Sequence, residues 1–337
     1  MAKLITLILL FAVVLVINGN VFAAHRFEST RSLQISYENS VQMDVKHRRA
    51  FVRRAKKPKK QKKPKKPAKK PAKKPPAVTP APQKVYTKNP CKSFVEDFSN
   101  PRIAEASSYS GDPSSADWIN LSGSPSSYNV KNGLLTLNLQ KPSQYERINS
   151  DQGPYNKYPG FGTTFNSSRL MHYGVVDVVL KANPVGGVVT AFITMSPEGD
   201  EIDYEIVGND THRVQSNWYW NGVIIWGAHG GIHDLPDNKL ISDFNTYTLD
   251  WDPDRIIWKI NGQPVRTLTR QETYENGIYK YPNRPSHIQF GIWDGSTAPG
   301  TANWANGPIN WDQEPNVLTS QIDTISIKCN PDYNEAP

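Results

Sequence analysis

The chain has 337 residues, with 39 lysines and arginines against 31 acidic residues and a formal net charge of +8. This charge is uneven: residues 1–88 carry 22 basic against 3 acidic residues, whereas residues 89–337 carry 17 against 28. The second part is therefore acidic and lacks a basic stripe, which argues against nucleic-acid binding. The length accommodates one large domain or two ordinary ones.

The N-terminal residues 1–23 predict a secretory signal peptide. Lys3 supplies a positive start, residues 4–17 form an apolar run interrupted only by Thr6, and Ala23 provides a small residue before the cleavage point. The apolar run is too short for a comfortable membrane span. We therefore predict a secreted protein, extracellular or in the cell wall, without a stable membrane span; a retained membrane anchor is the alternative.

Residues 24–88 predict a disordered linker rich in lysine and proline. Within it, residues 56–76 hold twelve lysines that repel one another, and prolines that prevent helix formation. Two interpretations stay open: a tether to an anionic wall polymer, and a solvated spacer. The basic pairs Arg48-Arg49 and Arg53-Arg54 add the hypothesis of a removable pro-segment.

The two cysteines, Cys91 and Cys329, lie near the two ends of the region that follows the linker. Two free thiols are the alternative, but they are hard to reconcile with an oxidising compartment, which favours a disulfide. In the loop-entropy model a bond that closes so long a loop is worth about 5 kcal/mol.

From Cys91 onward, short β-rich runs alternate with turns of glycine, proline, asparagine and aspartate. No long segment has helical periodicity, and Asn261-Gly262 between two apolar runs is a hairpin signal. The pattern predicts an all-β fold, a β-jelly-roll sandwich of two antiparallel sheets, as one domain over 89–332 followed by a tail at 333–337. The runs behind this prediction are 134–139, 174–180, 188–194, 246–251, 255–260 and 322–327.

Acidic and apolar residues alternate in the segment 201–206. On a β-strand this period of two places Glu201, Asp203 and Glu205 on one face and the apolar residues on the other. Three carboxyls on one face repel each other, so the row is unfavourable unless they share protons or serve a purpose. Glycoside hydrolysis uses such a set, with one carboxylate and one protonated carboxyl. The alternative is a surface strand with solvated acids.

The segment 201–205 matches the Glu-x-Asp-x-Glu signature, and the chain resembles glycoside hydrolase family 16. With its continuation to residue 222, it resembles the fungal Crh-type chitin–glucan transglycosylases. Four other parts of the chain share the resemblance, which covers about 91–330: 165–182, 244–251 with 257–262, 289–295 and 300–307. Asp294 and Asn306 depart from the pattern, because smaller residues are expected there.

The resemblance implies a concave substrate cleft and a role for each acid: Glu201 as nucleophile, Glu205 as proton donor and acid/base, and Asp203 as an assisting group. It also implies sugar contacts on the matching segments, namely Gln289, Trp293, Thr301 and Trp304. Trp218 and Trp220 share one strand face, which lies toward either the cleft or the core. We predict Trp220 as a further sugar contact, with core packing as the alternative for each tryptophan.

The substrates that the resemblance implies are cell-wall polysaccharides, with cleavage of chitin and transfer to β-glucan or another chitin chain. The protein would act as a monomer without a cofactor. The alternatives are an endo-hydrolase of β-1,3- or mixed-linkage β-glucan and a non-catalytic carbohydrate-binding jelly roll. Sequons predict N-glycosylation at Asn120, Asn166 and Asn209. His229 and His233 flank a double glycine that favours a loop over a metal site.

Overall fold

The computed structural model describes residues 91–122, 124–223, 225 and 227–334. The predicted signal peptide (1–23) and linker (24–88) lie outside these residues. Two eight-stranded sheets account for most of the described chain, which confirms the all-β sandwich. The α-helix α1 (Pro299–Trp304) has only six residues. Across the described ranges, no helix is long and apolar enough to cross a membrane.

We call the first sheet the site sheet. In spatial order it contains β13 (Gly231–Asp234), β12 (Arg213–Tyr219), β11 (Glu201–Val207), β10 (Val188–Met195), β19 (His287–Asp294), β8 (Thr163–Ser167), β3 (Trp118–Asn120) and β2 (Ile103–Glu105). Its pairs are antiparallel as predicted, except that β2 and β3 are parallel.

The second, or rear, sheet packs against the site sheet. It contains β16 (Gln263–Thr269), β15 (Arg255–Ile260), β14 (Asn245–Trp251), β9 (Gly174–Lys181), β20 (Val317–Cys329), β5 (Leu134–Gln140) and β4 (Tyr128–Lys131), with β1 (Phe94–Glu96) paired to β20. Smaller elements are the hairpins β6 (Arg147–Ser150) with β7 (Gly153–Asn156) and β17 (Tyr274–Glu275) with β18 (Ile278–Tyr279), and 3-10 helices at Pro125–Ser127, Pro236–Asn238 and Arg270–Thr273.

Alternation within each strand builds the core between the sheets, since successive side chains point to opposite faces. In β5 every second residue is fully buried, and β9 shows the same pattern. The site sheet contributes the apolar set of β11. These core residues are Leu135, Leu137, Leu139, Val176, Val178, Leu180, Ile202, Tyr204 and Ile206. The apolar face of β11 is therefore turned inward and its acidic face outward.

The predicted hairpin at Asn261-Gly262 is confirmed, because these two residues connect β15 to β16. Their φ angles are 49° and 80°. Positive φ at both central residues is the requirement of a type I′ turn, which Asn-Gly meets at low cost.

Cys91 and Cys329 form a disulfide, as predicted, with Cα atoms 6.1 Å apart and a sequence separation of 238. The bond fastens the residues before β1 to the end of β20. β1 also pairs with β20, so the disulfide reinforces an edge that hydrogen bonds already define.

We expect loss of this disulfide to lower the free energy of unfolding by about 2–5 kcal/mol. The comparison is urea unfolding of the native protein with that of Cys91→Ser/Cys329→Ser, each with and without reductant. Reductant should destabilise only the native protein. Equal urea midpoints for the two proteins would show that the bond contributes nothing.

The folded region extends past the predicted boundary at 332. The side-chain amide of Asn334 is buried: Nδ2 donates to the carbonyl oxygen of His172 at 2.9 Å, and Oδ1 accepts from the backbone N–H of His172 at 3.0 Å. Tyr333 lies edge-on to the ring of Tyr173. The prediction of a tail from 333 was therefore wrong, because the first two of those residues pack on the segment before β9.

The three predicted glycosylation sites differ in exposure. Asn209 is exposed, whereas Asn166 is buried, with 7% of its surface accessible. Asn120 is fully buried, and its Nδ2 donates to Glu105 and to the carbonyl oxygen of Ser124. A glycan on Nδ2 of Asn120 is incompatible with this packing, which corrects that prediction.

The two departures from the family pattern have local explanations. Asp294 accepts hydrogen bonds from the backbone N–H groups of Gly160 at 2.7 Å and Ser296 at 2.9 Å, so it fastens two loops to β19. Asn306 has φ 52°, a left-handed conformation that asparagine tolerates better than most residues. Its Nδ2 donates to the carbonyl oxygen of Gly208.

Candidate active site

The turn before β11 fixes where the acidic row begins. Gly199 has φ 88°, and a Cβ on it would lie 2.7 Å from the Cα of Gly222, so only glycine allows the two turns to approach this closely. The backbone N–H of Gly222 donates to the carbonyl oxygen of Gly199 at 2.7 Å. Ser196 closes the turn by accepting from the N–H of Asp200 through Oγ at 2.8 Å.

Asp200 holds this end of the strand through a buried ion pair. Its carboxylate accepts from the guanidinium of Arg284, from the backbone N–H of Asn221 at 2.8 Å and from that of Asn283 at 2.9 Å. Three segments that are distant in the sequence therefore meet immediately before Glu201. Sequence reasoning missed this arrangement, since single polar residues in separate turns give no periodic signal.

The three predicted acids lie on the outer face of the site sheet, as the alternation predicts. In the register of β11 with β12, Glu201 is opposite Tyr219, Asp203 is opposite Asn217 and Glu205 is opposite Gln215. Side chains that face each other across an antiparallel pair share a face. The partners in β12 therefore belong to the same surface as the acids, although sequence reasoning did not select them as site residues. Their spacing of two residues is the signal that could have found them.

Burial raises the pKa values of all three carboxyls, and the charges of neighbouring acids raise those of Glu201 and Glu205 further. Burial, then the charges of Asp203 and Glu205, raises the pKa of Glu201 well above its ordinary value. For Glu205, burial and the charge of Asp203 raise the pKa to about 8. Burial raises the pKa of Asp203 to about 7, opposed by a backbone hydrogen bond from Asn217 and the charge of Arg266. The row therefore retains protons near neutral pH, as general acid catalysis requires.

These shifts predict that stability falls as pH rises. The native protein binds more protons than the unfolded chain between the ordinary carboxyl pKa and about 8, so the free energy of unfolding decreases through that interval. We expect Glu205→Gln to stabilise the protein by about 1–3 kcal/mol at pH 8 and by much less at pH 5. Urea unfolding at both pH values measures this difference.

The matched control is Glu198→Gln, which changes an exposed carboxyl in the turn before β11. It should alter stability by less than about 0.5 kcal/mol at either pH. If Glu205→Gln changes the free energy of unfolding equally at pH 8 and at pH 5, the raised pKa of Glu205 does not make the native protein less stable at high pH.

The floor beside Glu205 is formed by small residues. Across β10 and β19, the positions in register with Glu205 are Ala191 and Gly291. A Cβ on Gly291 would lie 2.4 Å from the carbonyl oxygen of Thr163, so close approach of β8 requires glycine there. The surface next to Glu205 is consequently low.

Two of the predicted tryptophans form a wall at the end of this floor. Trp293 of β19 and Trp304 of α1 stack with ring centroids 5.8 Å apart and an interplanar angle of 19°. They pack on Val189 and Val207, which follows Glu205 on the same face of β11. Trp304 Nε1 donates to Gln215 Oε1 at 2.9 Å, which joins α1 to β12 across the site sheet.

The remaining predicted sugar contacts are distributed over the same surface. Gln289 lies in register with Ile193 and thus in the row of Asp203, and its Nε2 donates to Asn166 Oδ1 at 2.7 Å. Thr301 is half-buried in the first turn of α1, three residues before Trp304. Gln289, Trp293 and Trp304 therefore lie on or beside the face of the site sheet that carries the acids, whereas Thr301 is placed only by its position in α1.

Trp220 differs from the prediction. It follows β12 on the core side, and its half-buried ring packs against the core cluster that contains the fully buried Tyr204. The guanidinium of Arg284 lies 6.0 Å from its centroid. Trp218 is also buried in that cluster, so the two tryptophans face inward and Tyr219 faces the acids. Strand alternation alone could not tell which face is the outer one.

The segment 229–234 is only partly the predicted loop, because Gly231–Asp234 forms the edge strand β13. The ring of His229 stacks on Trp218 at 3.9 Å between centroids, and His233 Nε2 is 2.7 Å from Ser216 Oγ. Within the ranges that the structure describes, no group of three histidine, cysteine or carboxylate side chains is arranged to hold a metal ion.

Known proteins share this arrangement of strands. Residues 115–313 match the model of the family "Glycosyl hydrolases family 16". The chain is 35% identical over 244 residues to Crh-like protein 2 of Aspergillus fumigatus, covering 69% of this chain and 50% of that protein. It is 33% identical over 251 residues to Congo red hypersensitive protein 2 of Saccharomyces cerevisiae, covering 71% and 49%. The chain thus spans about half the length of these relatives.

A solved structure, described as a native glycosidic hydrolase, superposes with a TM-score of 0.53 at 26% identity, covering 73% of this chain and 98% of that one. The family match spans more than half of the chain and includes the acidic row, its β12 partners and the tryptophan wall. The chain belongs to glycosyl hydrolase family 16.

Proposed function

We propose that this protein is a retaining enzyme that cleaves chitin and transfers the released end to β-glucan or to another chitin chain. The observation that carries the proposal is the row of three carboxyls on β11, the buried Asp203 between the half-buried Glu201 and Glu205, all with raised pKa values. The sequence resemblance to Crh-type enzymes implies this donor and acceptor class, and the 35% identity to a Crh-like protein over 244 residues supports the resemblance.

The reaction follows from two carboxyls in different protonation states. Protonated Glu205 donates its proton to the glycosidic oxygen while ionised Glu201 attacks the anomeric carbon, so the glycosidic bond breaks as an ester bond to Glu201 forms. A sugar hydroxyl then attacks the same carbon and gives its proton to Glu205, which releases Glu201 as the carboxylate. The two displacements together retain the anomeric configuration.

Asp203 lies between the two glutamates on the same face, and one of its oxygens is buried with no hydrogen-bond partner among the described residues. A proton on Asp203 can be shared with Glu201 or withdrawn as the charge on Glu201 changes. This adjusts the charge of the nucleophile without a change in the total charge of the row. Asp203 is therefore assigned an assisting role.

The surroundings of the row suit a polysaccharide chain. Ala191 and Gly291 leave a low floor beside Glu205, and the stacked pair Trp293 and Trp304 offers an apolar wall at its end. Sugar rings present C–H faces to aromatic side chains and hydroxyls to polar ones. Gln289, which lies in register with Asp203, can supply hydrogen bonds to a sugar, since Asn166 engages only its Nε2 group.

A product assay with a labelled acceptor tests the proposal. The purified protein is incubated with soluble chitin as donor and a fluorescent β-1,3-glucan or chitin oligosaccharide as acceptor, and products are separated by size. Label in high-molecular-weight product supports transfer. Shortened donor without labelled polymer identifies a hydrolase. No change in either would leave a carbohydrate-binding jelly roll and refute the enzyme.

We also infer that the protein acts outside the cell. The predicted signal peptide at 1–23 and the disulfide between Cys91 and Cys329 both fit an oxidising, extracellular compartment. Retention on isolated walls at low and high salt, with and without residues 24–88, tests the proposed lysine-rich tether. Identical, salt-insensitive retention of both forms would exclude it.

A further inference from the structure

An arginine of the rear sheet lies beneath the acidic row. Arg266 of β16 donates through Nη1 to the carbonyl oxygen of Ser216 at 3.1 Å and to its Oγ at 2.8 Å, and through Nη2 to the carbonyl oxygen of His229 at 2.7 Å. Ser216 is the residue before Asn217, which pairs with Asp203. The guanidinium is thereby fixed to the inner side of β12 at the level of the acids.

Trp258 connects this arginine to the backbone of the row. The guanidinium carbon of Arg266 lies 4.6 Å from the centroid of the Trp258 ring. The same ring is fully buried and donates through Nε1 to the carbonyl oxygen of Asp203 at 3.0 Å. One indole therefore contacts both the cation and the central residue of the row.

The charges that act on Asp203 come from three strands. Glu201 and Glu205 lie on its own strand, Tyr219 lies on β12, and Arg266 reaches it from the rear sheet. Its partner in β10, Ile193, carries no charge. Arg266 is thus the cation that opposes the effect of burial on the pKa of Asp203. In a half-buried position its effect is weakly screened by solvent.

We propose that Arg266 is a positioning residue that acts through Asp203 and sets the pH range in which the three-carboxyl row gives up its protons. Without this cation, Asp203 keeps its proton to higher pH, and because a neutral Asp203 does not repel the charge of Glu201, Glu201 ionises at lower pH. The inference rests on the proposed retaining mechanism for its effect on rate, whereas its effect on proton binding is independent of activity.

Two substitutions separate charge from packing. Arg266→Met removes both the charge and the hydrogen bonds, whereas Arg266→Lys keeps the charge and loses the planar fork. We expect the acidic limb of the kcat/KM profile, which reports the ionisation of Glu201, to move down by about 0.5–1 pH unit in Arg266→Met and by less than about 0.2 in Arg266→Lys. Both variants should lose several degrees of Tm, since both lose hydrogen bonds.

A double-mutant cycle with Asp203→Asn makes the test independent of activity. Arg266→Met should lower Tm more at pH 8, where Asp203 is charged, than at pH 5, where it is protonated. In the Asp203→Asn background the difference between the two losses should shrink to the part that His229 and His233 contribute. His229 and His233 also lie near Arg266, but they titrate in both backgrounds, so their contribution cancels in the cycle.

The outcomes distinguish the two proposals. Two results together would overturn the role of Arg266 and leave the enzyme assignment intact. These are equal Tm losses at pH 5 and pH 8 in the native background, and acidic limbs of the kcat/KM profile that superimpose for the two arginine variants. Absence of activity in the native protein, with the pH-dependent Tm difference present, would refute the proposed function while supporting the link between Arg266 and Asp203.

Discussion

Glu201→Gln is expected to lower kcat by at least about 10⁴-fold, because the amide cannot form the covalent bond to the anomeric carbon. The side chain keeps its size and its place on β11 opposite Tyr219, so the loss should not come from unfolding. Neutralising one of three crowded carboxyls should raise Tm at pH 8. The measurements are turnover of a chitin oligosaccharide and thermal unfolding of the same preparation.

A rescue experiment identifies the role of Glu201 more sharply. In Glu201→Ala, azide can enter the vacated space and attack the anomeric carbon while Glu205 protonates the leaving oxygen, which gives a glycosyl azide of inverted configuration. In Glu205→Ala, azide should intercept the glycosyl-enzyme and give the retained configuration. Full activity of Glu201→Gln on chitin would instead indicate that the acetamido group of the substrate serves as the nucleophile.

Glu205→Gln is expected to lower kcat by about 10²–10⁴-fold on natural substrates, which need protonation of a poor leaving group. An aryl glycoside with an acidic phenol departs without a proton, so its first step should slow by less than about tenfold. The deficit should then appear in the second step, where Glu205 acts as base. A burst of phenol followed by slow turnover would be the signature.

The pH profile provides a second measure of Glu205. Its pKa is raised to about 8, first by burial and then by the charge of Asp203, so native activity should decline as pH rises through that value. The activated aryl substrate needs no proton in the first step. The alkaline limb of the pH–rate profile for that step should therefore disappear. An alkaline limb that persists in Glu205→Gln would assign the proton donor to another group.

The features that were predictable from the sequence are local or repeat along the chain. The alternation of acids at Glu201, Asp203 and Glu205 requires only that the segment be a strand, because a period of two separates its faces. Asn261-Gly262 predicts its own turn through its backbone preferences. The strand runs and the lack of helical periodicity give the sandwich in the same way. The disulfide followed from the presence of two cysteines in a chain with a predicted signal peptide.

Other features depend on pairs of residues far apart in the sequence. The same alternation left Trp218 and Trp220 on an undefined face, and the register with β11 and the packing of the rear sheet turned them inward. Asn120 lies in a sequon, which predicts glycosylation from three consecutive residues, yet the fold buries its side chain against Glu105 and Ser124. Residues 333–334 appeared to be a tail, but they pack on the start of β9.

The sequence by itself determined the sandwich, the row of three acids and the disulfide, because each follows from strand period, turn preference or residue type. Only the tertiary structure decided what surrounds the row: Asp200 with Arg284 at its start, Gln215 with Trp304 beside it and Arg266 beneath it. The physical reason is that hydrogen bonds and charges act over a few ångströms in space, whatever the separation along the chain.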